Sequence, residues 1–212
     1  MKKIMFNDEF SLTLAVLDGL KTMTRRTISE KLWDRWTDYD DFCNSVSVEN
    51  TPTTRQYYDE KEFFIDNSSY KVGEVVAIAQ SYSACGNIPD CELDEDGYPI
   101  MPMRSGFFNK MFVKADLMPH HIEITGIKVE RLQDISDEDC LKEGIVKQEV
   151  ISDESPFLYA YDAFLNGESG YFASRWFKNP KEAFAALIDK VSGKGTWESN
   201  PFVFAYEFRL TD

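Results

Sequence analysis

The chain has 212 residues, of which 37 are Asp or Glu and 23 are Lys or Arg, giving a formal charge of −14. With 43% hydrophobic and 14% aromatic residues there is ample apolar area to offset the entropy of ordering, so a wholly disordered chain is excluded, and the length fits one decorated domain or two small ones. A uniformly basic grip on nucleic acid is excluded as well, because phosphate backbones and anionic membranes would be repelled on average; such binding needs a local basic patch.

The start, MKKIMFNDEF, turns acidic before a secretory apolar core can form, and no run approaches the ~18 apolar residues of a membrane span; a cytoplasmic protein with no membrane partner is expected. Asn7 or Asp8 is placed to cap a first helix in which Phe10, Leu14 and Leu17 recur at helical spacing, and Gly19 supplies its stop. Leu20-Lys21-Thr22-Met23-Thr24-Arg25-Arg26 follows, expected as a short basic turn held close to a packed helix. Residues 1–28 carry five basic and three acidic side chains, a basic island in an acidic chain. Arginine forks suit phosphate oxygens, so Thr22, Arg25 and Arg26 are candidates for substrate or phosphate contact; a solvated basic turn is the plain alternative.

Residues 29–69 hold ten acidic and four basic residues among aromatics and are expected to be an insertion packed on the main domain. Trp33, Trp36 and Tyr39 lie at i, i+3 and i+6, which favours packing, although exposed aromatics beside a basic turn would stack a base. Tyr70-Lys71-Val72-Gly73-Glu74 predicts a turn into the buried strand Val75–Ala79. In 83–110, a second insertion, Asp90, Glu92, Asp94, Glu95 and Asp96 precede Gly97 as in a calcium loop, but the twelfth position falls on Met103 where a carboxylate is required; a solvated acidic loop is expected, and a protein-facing surface is its functional alternative.

Phe112–Lys114 and Ile122–Leu132 are expected as strands, the second with an irregularity at Gly126. Ser136 with Asp137, Glu138 and Asp139 starts a helix that ends at Gly144. After a third insertion at 146–178, Asn179 caps and Pro180 opens a helix stopped by Gly193. An aromatic strand, Phe202–Leu210, closes the chain, and Trp197 beside it fits a core role. Strands scattered among short helices indicate α+β: a single domain built as a small mixed β-barrel with flanking helices.

Cys43, Cys85, Cys91 and Cys140 contain no CxxC pair, and His120 and His121 point to opposite faces of a strand, so zinc spacing is absent and neither metal nor cofactor is expected; a Cys85–Cys91 bridge stays open. P-loop, GxGxxG, HExxH and GxSxG patterns are absent too.

Gly19-Leu20-Lys21-Thr22-Met23-Thr24-Arg25-Arg26 resembles the GxKTxTxR signature of the ASCH family in the PUA-like superfamily of small β-barrels. Tyr70–Glu74, Val129–Ser136 and Glu143-Gly144 resemble later segments of that family in the right order, and Trp197–Pro201 with the aromatic strand is similar to larger phage-associated members. The similarity covers about half the chain and leaves the insertions out. It implies recognition of a nucleoside, nucleotide or RNA element and, by likeness to the N4-acetylcytidine amidohydrolases, catalysis by Lys21, Thr24 and Glu143 from a pocket between the Lys21–Arg26 turn and the Glu143 helix. Threonine becomes a nucleophile only when a base takes its proton, and a lysine can be that base if burial lowers its pKa. Without turnover, the same residues describe a non-catalytic nucleic-acid-binding module or, with the acidic insertions, a phage-associated protein-interaction protein.

Overall fold

A computed structural model describes residues 1–45, 58–86, 94–98, 105–149, 157–160 and 177–211. Five strands form a mixed sheet: β1 (Lys3–Ile4), β2 (Met23–Thr27), β3 (Val75–Ile78), β4 (His121–Arg131) and β7 (Phe202–Leu210), in the order β1-β3-β4-β7-β2. β1 runs parallel to β3, and every other pairing in this sheet is antiparallel. A separate hairpin pairs β5 (Val146–Glu149) with β6 (Phe157–Ala160). The architecture is α+β. Among the described residues no β1–β2 ladder closes the sheet into a barrel, but its two ends approach each other: Arg26 Nη2 on β2 donates to the carbonyl of Met5, just beyond β1, at 2.5 Å.

β7 lies in the middle of this arrangement and is buried on both faces. Val203, Phe204, Ala205, Tyr206 and Phe208 are all shielded, so the aromatic alternation seen in the sequence is half of a two-sided burial. The β4–β7 ladder shifts register between Ile124 and Gly126, where the hydrophobic alternation of the sequence also breaks. On one side of the sheet, α2 (Glu30–Ser45) and α3 (Glu60–Asp66) supply Leu32, Phe63 and Phe64 to the core. Trp33 stacks edge-on against Phe64 at 4.7 Å and Trp36 meets Phe63 at 5.3 Å. The aromatic segment does pack on the main domain, as expected of it, and supplies these rings to the larger core cluster, where each buried ring contributes roughly 1.5–3 kcal/mol by leaving water. Asp59 starts α3 with a capping box to Glu62.

α4 (Asp137–Lys142) begins as its sequence predicts, with the Ser136 hydroxyl accepting from Asp139 N. α5 (Pro180–Ser192) is capped by Asn179, whose side chain accepts from Glu182 N, and α6 (Thr196–Ser199) brings Trp197 against Phe184.

Four local expectations are corrected. α1 spans Leu12–Leu17 with Ser11 as N-cap; Asn7 instead caps the preceding turn, accepting from the Glu9 and Phe10 amides. Its buried face is Leu12, Thr13, Ala15 and Val16, which leaves Leu14 40% exposed, because entry through a left-handed Ser11 rotates the helix. Phe112–Lys114 is not a strand: Lys110–Phe112 forms a 3-10 turn capped by the Asn109 side chain, and the chain then extends with Val113 buried. The Lys21–Arg26 segment is not a turn. From Met23 it is the strand β2, paired residue by residue with β7.

Cys43, Cys85 and Cys140 are free thiols, and Cys91 lies outside the described residues, as do Asp90 and Glu92. Asp94–Tyr98 is an exposed turn in which the Asp94 carboxylate accepts from the Asp96 and Tyr98 amides. Among the described residues no helix is long and apolar enough to cross a membrane, and no cluster of three metal-ligating side chains occurs.

Candidate functional site

The backbone first explains why Lys21 lies where it does. Gly19 at φ 71° ends α1, and the Leu20 and Lys21 amides then donate back to Ala15 O at 2.8 and 2.9 Å. Thr22 donates to the carbonyl of Lys142, the last residue of α4, and accepts from Phe208 N on β7. Lys21 is thereby fixed against the end of α4, where Glu143 is the C-cap. Gly144, at φ +98°, turns the chain directly beneath it; a Cβ there would touch Lys21 Cβ at 3.6 Å.

Lys21 Nζ donates to Glu143 Oε2 at 2.6 Å and to Glu143 O at 2.8 Å, with both side chains nearly sealed from solvent, 2% and 4% exposed. Arg25, 1% exposed, holds the other oxygen of the same carboxylate, Nη1 to Oε1 at 3.0 Å. The rest of its fork is also occupied: Nη2 meets Glu130 Oε1 at 2.6 Å and Asp139 Oδ2 at 3.1 Å, and Nε meets Glu130 Oε1 at 3.2 Å. The sheet register makes this reach possible. Arg25 and Lys128 both sit opposite Ala205 of the intervening β7, and a residue that small leaves room for a guanidinium to cross two strand spacings, roughly 10 Å, toward β4. Lys128 Nζ stands 3.6 Å from Asp139 on the outer rim.

Burial is the main influence on Lys21 and lowers its pKa from the ordinary 10.5; Glu143 opposes the shift, while Arg26 and Arg25 add to it. For Arg25, desolvation is outweighed by the Glu143 and Glu130 carboxylates, so it holds its charge more firmly than a free arginine.

Lys21 and Thr24 line one cleft of about 360 Å³, bounded by β2 on one side and by Met5, Phe6 and Asn7 with the α5 end, Val191 and Ser192, on the other. It occupies the gap between the two ends of the sheet. The far wall is therefore the segment after β1 and not the Glu143 helix; Glu143 lies behind Lys21 and contacts the cleft through it. Thr24 is buried, and among the described residues its hydroxyl has no hydrogen-bond partner. Arg26 lines the cleft as well, tied to Met5 O, with its Nε buried and unpartnered among the described residues. Thr22 is half-buried and does not line the cleft.

No family model, curated protein or solved structure matches this chain significantly.

The structure thus brings Lys21, Thr24, Arg25, Arg26 and Glu143 into one neighbourhood and divides them: Lys21, Thr24, Arg25 and Arg26 line the cleft and Glu143 does not, and the Arg25 fork, although it borders the cleft, is already bonded to Glu143, Glu130 and Asp139. Sequence reasoning missed Asp139 and Glu130. Asp139 had a signal, since it precedes Glu143 by four residues and shares its helix face, but its place in the first turn also suits the helix dipole. Glu130 had none, because its partner lies 105 residues away.

Proposed function

We propose that this chain is an ASCH-type protein whose cleft takes a nucleoside or nucleotide and hydrolyses an acyl amide on its base, with N4-acetylcytidine as the defining substrate. One observation carries this reading: a buried lysine, held by a carboxylate, shares a cleft wall with a threonine hydroxyl that has no hydrogen-bond partner among the described residues. A lysine with lowered proton affinity gives up its own proton more readily than an ordinary lysine and is thereby available as a base for a threonine nucleophile.

In the proposed sequence, neutral Lys21 takes the hydroxyl proton as Thr24 Oγ1 bonds to the acyl carbon. The C–N bond then breaks, and the proton on Lys21 passes to the departing amine. Water hydrolyses the resulting threonine ester, Lys21 taking a proton from the water and returning it to Thr24 Oγ1. Glu143, behind the cleft wall, holds Lys21 in place and supports the ammonium form between the transfers. Arg26 on the cleft wall offers N–H donors to acceptors on the substrate.

The test is chromatographic: purified protein, N4-acetylcytidine, and release of cytidine and acetate, with Thr24→Ala and Lys21→Ala beside the wild type and circular dichroism to verify folding. Loss of turnover in both folded variants is expected. Full activity in either one sinks the mechanism. A binding module without turnover is the second reading, favoured by Arg26 on the cleft wall; there the wild type releases no cytidine, and affinity for RNA falls steeply with salt.

A further inference from the structure

In the pattern that the basic segment resembles, GxKTxTxR, Arg26 falls on the closing arginine and Arg25 on an unspecified position, yet Arg25 makes the most internal contacts of any side chain around the site. We propose that Arg25 is the positioning residue of this site: it anchors Glu143 by Oε1, so that Oε2 alone is turned toward Lys21. The proposal deepens the amidohydrolase reading and rests on it for the meaning of Lys21, but the geometry stands independently.

The geometry has three parts. Glu143 is shared between two cations, one per oxygen, at 2.6 Å to Lys21 and 3.0 Å to Arg25. A carboxylate bonded to one cation alone rotates about its terminal torsion with little hindrance; one clamped at both oxygens does not. Arg25 itself has no freedom to follow another partner, because Glu130 on β4 and Asp139 on α4 hold its outer edge and Met23 Sδ lies 3.2 Å from Nη1. The clamp joins β2, β4 and α4 at the point where Lys21 enters the cleft wall.

The electrostatic consequence follows. The charged groups around Lys21 are Glu143 at the end of α4, Asp139 on α4 and Glu130 on β4 beyond it, and Arg25 and Arg26 on β2. Glu143 favours the proton on Lys21. Arg25 opposes it by bonding the other oxygen of that carboxylate and by its own positive charge, as Arg26 does by charge alone, on the same side as burial. Lysine at position 25 would supply the same charge as a point without the fork that binds three carboxylates at once.

The decisive experiment needs no substrate. Full-length protein carrying ¹³Cε-lysine is titrated by NMR, with the Lys21 signal assigned by its loss in Lys21→Met, and the midpoint is compared in wild type, Arg25→Gln and Arg25→Lys. Arg25→Gln is expected to raise the Lys21 midpoint by about one unit or more, the usual effect of one close charge, and Arg25→Lys to fall between it and the wild type. An unchanged midpoint in Arg25→Gln, or a wild-type midpoint in Arg25→Lys, overturns the proposal: the first leaves Arg25 a mere brace, the second shows that charge without geometry suffices. Should Arg25→Gln fail to fold, Glu130→Gln at the half-open rim keeps the cation and frees it for Glu143, which must move the midpoint the other way, downward; no movement there equally refutes it. If wild-type protein turns over N4-acetylcytidine, the alkaline shift in Arg25→Gln recurs in the kcat–pH profile. If it does not, the amidohydrolase reading fails and the NMR result still decides the role of Arg25.

Discussion

Arg209 and Arg25 both reach a glutamate of β4, the first from β7 and the second from β2. Arg209 meets Glu123 with Nη2 at 2.7 Å and Nε at 3.0 Å, and Arg25 meets Glu130 at 2.6 and 3.2 Å, so the local geometry is nearly the same. Their surroundings are opposite: the Arg209 side chain is 70% exposed and that of Arg25 1%. In water the first pair exchanges one good solvation for another and stabilises by about 0–1 kcal/mol. In the interior the second has given up its water, and each partner is tolerable only while the others remain. A buried ionic cluster is therefore weak support for stability, and what it fixes is the mutual position of its members, Lys21, Arg25, Glu130, Asp139 and Glu143.

The sharpest way to break this comparison is to remove one member of the buried cluster without changing its shape. Glu143→Gln leaves Lys21 and Arg25 facing an amide, and a loss of about 3 kcal/mol is expected, the lower part of the range for stripping one partner from a buried pair, since Lys21 can shed its proton and Arg25 keeps Glu130 and Asp139. Urea unfolding followed through the fluorescence of the packed tryptophans measures it; a loss below 1 kcal/mol would place the cluster with the surface pairs.

A smaller effect is expected from pH. Because the folded state lowers the pKa of Lys21 below the 10.5 of an ordinary lysine, the unfolded chain binds more protons in the window between the two values. The cost of burying the ammonium is complete below the folded pKa and disappears as pH rises to 10.5, so stability gained from this group increases with pH across that window, at up to about 1.4 kcal/mol per unit. Lys21→Met lacks that gain. Urea midpoints for both proteins from neutral pH upward should diverge in favour of the wild type, and parallel curves would contradict the sign. The smallest effect belongs to the exposed pair: Arg209→Gln should cost less than about 1 kcal/mol and lose even that in high salt.

How much of this was legible in sequence depends on the distance over which each feature is decided. The caps of α4 and α5, the turn before β3, β7 from end to end and the break at Gly126 were all readable, since a hydroxyl, a proline, a glycine or a run of aromatics acts on its own few residues. The face of α1 was not, because Ser11 takes a left-handed conformation that no pattern of apolar spacing announces. Phe112–Lys114 has the composition of a strand, but Lys110–Phe112 closes a 3-10 turn capped by Asn109, and among the described residues the segment joins no ladder of either sheet. The candidate site divides in the same way. Lys21, Thr24 and Glu143 were named from segments that resemble a known pattern, whereas the Arg25 clamp depends on Ala205 being small and on Glu130 lying one strand further away.

Sequence alone therefore determined that an acidic chain with an aromatic core folds as α+β, where α4 and α5 begin, and which short basic segment is chemically unusual. Only the tertiary structure decided that this segment is a sheet-edge strand, that its lysine and one arginine are buried, and that the cleft opens toward Met5–Asn7 and away from α4. The physical reason is that composition and periodicity act through neighbours along the chain, while the protonation and aim of a buried side chain are set by charges that folding brings to it from more than a hundred residues away.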